Sequence, residues 1–69
     1  MKVYVVERGE RYEGGQAVGV YSTFSKAKAA ALNQDTAFED GWIEADTHYW
    51  KNGCDYVTVI EFEVDAEQE

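Results

Sequence analysis

Apolar and polar positions along this chain follow two periods. Residues 2–8 place Val3 and Val5 on one face of a strand and Tyr4 and Val6 on the other. Apolar character on both faces predicts an interior strand, here placed in the middle of the sheet. Gly9 to Gly15 is a polar connection, and residues 16–21 are a second strand, so the two pair as a hairpin with a loose loop. The period then changes. Ser22 or Thr23 can accept a hydrogen bond from the first turn of a helix, and Phe24, Ala27 and Ala31, with Leu32 beside them, form a narrow apolar stripe at helical spacing. Alanine is the best helix former, and its small side chain lets a helix lie close to a sheet. The helix spans about residues 23–33, with Lys26 and Lys28 off the stripe. Asn33 ends it, since Asn tolerates the left-handed conformation that often closes helices.

Residues 34–41 read as a loop with one helical turn, capped by Asp35, running through Phe38 and ended by Gly41. Residues 42–50 and 55–64 read as third and fourth strands joined by Lys51-Asn52-Gly53-Cys54, and Asn-Gly is the strongest short hairpin signal available. In the last strand Tyr56, Ile60, Phe62 and Val64 share one face while Glu61 and Glu63 take the other, the alternation of a half-buried strand. The expected core therefore joins Ala27, Ala31 and Leu32 to Ile60 and Phe62. The fold class is α+β, in the order β-β-α-β-β, with one helix packed on a mostly antiparallel four-stranded sheet. One domain covers 1–65, and 66–69 are an acidic tail.

Length changes this picture little. A chain of 69 residues buries only about 60% of its unfolded surface, so its aromatics matter. Trp42 belongs in the core, and Trp50 sits between core and surface roles. No run is long enough to span a membrane, Met1–Glu7 alternates too much for a signal peptide, and a single cysteine, Cys54, excludes an internal disulfide. A cytoplasmic protein is expected.

Charge changes it more. Fourteen Asp and Glu against six Lys and Arg give a formal net charge of −8. Direct binding to nucleic acid needs clustered cations and is not expected, nor is an anionic membrane surface. A basic protein surface is the complementary partner.

The pattern resembles a group of small uncharacterised proteins of bacteria and their phages. Met1-Lys2-Val3-Tyr4, the Gly19-Val20-Tyr21-Ser22 strand running into a Lys-Ala helix, a Trp-rich hairpin and the Glu61-Phe62-Glu63-Val64-Asp65 strand carry the likeness. It covers most of the chain and implies the same fold. It implies no catalytic residue. Small acidic phage proteins of this kind resemble inhibitors of host enzymes or of bacterial immunity, CRISPR systems included.

Candidate chemistry is sparse. His48 and Cys54 flank the expected last turn and would approach each other across it, but nothing nearby supplies an oxyanion hole or finger-type zinc spacing. The glycines of Gly9–Gly15 lack the Gly-Lys-[Ser/Thr] ending of a phosphate loop. No cofactor is expected. The carboxylates Glu44, Asp46, Glu61, Glu63 and Asp65 alternate along the last two strands, which in extended chain sets neighbours about 6.6 Å apart, twice the strand rise. Such an array suits a groove built for nucleic-acid phosphates, with Tyr49 or Trp50 as an aromatic anchor. The expectation is a non-enzymatic protein that inhibits a nucleic-acid-binding or CRISPR-like complex by occluding a basic surface. The alternative is a self-associating structural or accessory module, a homodimer.

Overall fold

A computed structural model describes residues 1–34 and 41–64. One helix packs on a five-stranded antiparallel sheet. The strands are β1 (Lys2–Glu10), β2 (Gly14–Tyr21), β3 (Ile43–Asp46), β4 (Tyr49–Asn52) and β5 (Asp55–Glu63), and helix α1 is Phe24–Leu32. Their order across the sheet is β2-β1-β5-β4-β3. β1 is interior, as its two apolar faces require, but β5 holds the centre instead of β1.

The strand-to-helix junction forms as its residues dictate. Thr23 is extended at φ −136° and its Oγ1 accepts from the Lys26 amide at 3.2 Å. Asn33 ends α1 in the right-handed region at φ −88°, not the left-handed one, with its N–H shared between the Ala29 and Ala30 carbonyls.

The expected single strand over 42–50 is two strands. Asp46 Oδ1 accepts from the Thr47 amide at 2.7 Å, a local side-chain bond of the kind that competes with a strand ladder, and the chain reverses at Thr47-His48. That fold-back makes five strands of the expected four. The next turn also moves by one residue. Asn52 pairs with Asp55, leaving Gly53 and Cys54 as the two-residue loop. Gly53, at φ +61°, supplies the positive φ that such loops need at their first position.

The core lies between α1 and one face of the sheet. Val6, Ala27, Ala31, Trp50, Val57 and Val59 are buried together, with Tyr4, Tyr21, Phe24, Ala30 and Trp42 packed around them. Ala27 and Ala31 meet the sheet as expected. Leu32, Ile60 and Phe62 do not join the core, being 41%, 36% and 51% exposed. Val6 pairs with Val59 and Trp50 with Val57, so the odd-numbered residues of β5 face the helix and the even-numbered ones turn away. Glu61 and Glu63 share the inward register and lie on the strip of that face left exposed.

A polar cluster closes one end of the core. Asp55 and Asn52 are both nearly buried. Arg8 reaches the Asp55 carboxylate at 4.0 Å and lies 5.7 Å from the centre of the Trp42 ring. Asn52 Nδ2 donates to the Gly41 carbonyl at 2.6 Å, and Trp42 Nε1 donates to that of Gln34 at 2.8 Å. These bonds tie the residues on either side of 35–40 to each other and to the sheet. The expected helical turn over 35–38 and the tail 66–69 lie outside the described residues.

Candidate functional site

Among the described residues the sheet face away from α1 carries no helix, and its register arranges it in rows. Val3 faces Phe62, and the next row runs Val20, Val5, Ile60 across β2, β1 and β5. Beyond it come Ala17, Glu7, Thr58, Tyr49 and Asp46, then Gly15, Gly9, Tyr56, Lys51 and Ile43. One half of this open face is aliphatic and aromatic without a charge. The other half is mixed. Val20 is 61% exposed and Phe62 51%, so the apolar half is open to solvent.

The mixed half is held by close packing. The Tyr49 and Tyr56 rings stand 6.0 Å apart at 46°. Tyr56 lies over the paired glycines Gly9 and Gly15, its hydroxyl 2.6 Å from where a Gly15 Cβ would be. Its phenol is pushed above the ordinary 10.0, first by burial and then by the charge of Glu7 and by Tyr49.

The acidic residues expected to form one array do not share one surface. Glu44 pairs with Trp50 on the helix side, whereas Asp46 pairs with Tyr49 on the open side, because the register shifts between them. Glu61 accepts an ion pair from Lys2 Nζ at 2.9 Å, and Glu63 from the Met1 amino group at 3.0 Å. The Lys2 ammonium is held above its ordinary 10.5 by that hydrogen bond and by the charge of Glu61. Asp65 lies outside the described residues. Trp50 is 2% exposed and belongs to the core, while Tyr49 stays half-buried on the open face.

The charge itself is unevenly spread. All six Lys and Arg but only eight of the fourteen carboxylates fall within 1–34 and 41–64, which leaves that part near −2. The other six carboxylates belong to 35–40 and 65–69.

His48 and Cys54 are not neighbours. They occupy turns at opposite ends of β4, separated by four strand residues or roughly 13 Å. The His48 ring packs on Phe24 at 4.6 Å, and Cys54 is an exposed thiol whose carbonyl accepts from the Arg11 amide at 2.8 Å. Among the described residues no group of three or more His, Cys, Asp or Glu is placed to hold a metal ion, and no helix is long and apolar enough to cross a membrane.

The whole chain, residues 1–69, matches a family described as a domain of unknown function, DUF7336. The chain belongs to the DUF7336 family. No curated protein and no solved structure matches it. The family has no assigned activity, in keeping with the resemblance drawn from the Met-Lys-Val-Tyr start and the Gly-Val-Tyr-Ser junction. What distinguishes this DUF7336 chain is therefore read from its own surface, and the open sheet face is the feature that the pattern of residues missed. The signal was present: β1 carries Val3 and Val5 on one face and Val6 on the other, and β5 carries Val57 and Val59 on one face and Ile60 and Phe62 on the other, so α1 on one side leaves an apolar set on the other.

Proposed function

We propose that this chain works by binding a protein, without catalysing a reaction, and that its working surface is the apolar half of the open sheet face. The supporting observation is the row of Val5, Val20 and Ile60 beside Val3 and Phe62, with Val20 and Phe62 more than half exposed. Contiguous apolar surface of this kind on a small protein marks an interaction site. The partner's chemistry follows from charge. Asp65, Glu67 and Glu69 continue the chain directly after β5, so a partner with an apolar centre and a basic flank is complementary. A nucleic-acid-binding or defence complex would offer the basic part of such a surface through the cations that hold its phosphates, and covering it would inhibit that complex.

The test uses the parent chain and Phe62→Asp as baits in host extract, each washed at low and high salt. A basic protein that the parent holds at low salt, that is released as salt screens the charges, and that Phe62→Asp fails to hold, supports the reading. Circular dichroism confirms that the variant is folded. Identical partners for both baits would overturn the assignment of the surface.

A further inference from the structure

The two edges of the sheet are unlike. β3 is the shorter, four residues with two carboxylates and a register shift, which are the devices that keep a sheet edge from pairing with other strands. β2 is the opposite. Gly14-Gly15-Gln16-Ala17-Val18-Gly19-Val20-Tyr21 is eight residues long and contains no charge and no proline. Each of the other four strands carries at least one charged side chain. Residues 14–18 of β2 are all exposed, and among the described residues no backbone hydrogen bond outside the β1–β2 ladder reaches it. Its one guard is the irregularity at Val18, where the register with β1 shifts.

We propose that β2 pairs antiparallel with β2 of a second copy of this chain, giving a closed dimer with one continuous ten-stranded sheet. Charge selects the occupant. A chain of net charge −8 is repelled by its own copy wherever carboxylates oppose one another, and β2 is the strand where none do. Symmetry selects the geometry. Pairing β2 with β3 would be head-to-tail, giving a ring or an open filament, and would use the guarded β3 edge. Pairing β2 with itself is isologous, and it leaves the two guarded β3 edges as the ends of the sheet. The dimer also brings Val20 of each copy toward the shared edge, so the two open apolar faces become one surface. Val20 belongs to both β2 and the Phe62 patch, but the edge pairs through backbone and the patch binds through side chains, so the two readings fail separately.

Sedimentation equilibrium under reducing conditions, which keeps Cys54 from cross-linking, tests this. The parent should show twice the 7.8 kDa chain mass at high micromolar concentration. Ala17→Lys and Val18→Lys place a cation on the edge outside the Phe62 patch. In Ala17→Lys the new ammonium would face Glu7 across the β1–β2 ladder, so the fold keeps its register. Both variants should sediment as monomers, while Phe62→Asp stays dimeric. Amide exchange should slow in residues 14–21 of the parent as concentration rises and should not change in the two cationic variants. A parent that is monomeric at every concentration overturns the proposal. So does a dimer that survives both cationic substitutions, or one that Phe62→Asp dissolves, which would mean face-to-face association.

Discussion

On one face of the sheet Val6, Val57, Val59 and Trp50 are buried together with the alanines of α1; on the other, Val5, Val20, Ile60 and Phe62 have no described helix over them. The two sets alternate along the same strands and are of the same chemical kind. What separates them is cover, because a nine-residue helix can shield only one side. Burial of a large apolar side chain is worth about 1.5–3 kcal/mol, so the covered set holds the fold together. The open set contributes much less to folding and is free to contribute to binding.

The largest expected effect tests that division directly. Trp50→Ala should cost about 3–5 kcal/mol, enough to unfold so small a domain, because the ring is 2% exposed and belongs to the buried cluster beside its strand partner Val57. Phe62→Ala, on the open face, should cost about 1 kcal/mol or less, as half its surface is already in water. Urea titrations of the two variants measure the contrast. Equal losses would show that the open face is part of the folding core.

A second substitution probes the open face where it is packed. A Cβ at Gly9 would collide with the backbone of Gly14 and Gly15, since β1 and β2 approach closely beneath the Tyr56 ring. Gly9→Ala should therefore lose about 1–3 kcal/mol, the usual cost of overpacking, despite lying far from the helix. Thermal melts followed by Tyr fluorescence check it. A neutral Gly9→Ala would mean that this corner of the sheet can spread apart.

Much of the covered side was legible in the residues themselves. The Thr23 cap, the Ala27 and Ala31 contacts and the interior position of β1 all follow from local pattern. The division between faces was not, for a reason that lies in β5. Alternation of Glu61 and Glu63 with Ile60 and Phe62 says that one set is inward, and ordinarily the carboxylates are the outward one. Here the β1–β5 register sets Lys2 opposite Glu63 and Tyr4 opposite Glu61, and the Lys2 and Met1 cations stabilise the two carboxylates on the helix side of the sheet. That depends on a partner strand more than fifty positions away, which no local period contains. The extra strand was missed for a more local reason. Glu44-Ala45-Asp46-Thr47-His48 looks like a strand by alternation, but the register shifts between Glu44 and Asp46 and the Asp46 carboxylate takes up the Thr47 amide where the chain reverses. The acidic array was altered by the same two features: Asp46 turns to the face opposite Glu44, Glu61 and Glu63, and Glu61 and Glu63 each meet a cation.

The smallest expected effect compares the faces by titration. Lys2 lies on the helix side and Tyr56 on the open side, and both have folded pKa values raised above their ordinary 10.5 and 10.0. The causes differ: the hydrogen bond and charge of Glu61 for Lys2, burial for Tyr56. In both cases the folded chain keeps the proton longer than the unfolded chain does. Stability from each group is therefore complete below the unfolded value and declines as pH rises through the folded one. Melting temperature should hold steady well below pH 10.0 and fall above it. The fall should be shallower in Lys2→Gln and in Tyr56→Phe than in the parent, and shallowest in the double variant, since the two groups lie on opposite faces and should act independently. Because the Lys2 pair is exposed, its share should be the lesser one and should shrink with added salt, while that of Tyr56, which rests first on burial and only then on the charge of Glu7, should shrink less. A Lys2→Gln variant as steep as the parent at low salt would mean that the Glu61 pair forms without stabilising the fold, and that Glu61 is as available to a partner as an unpaired carboxylate.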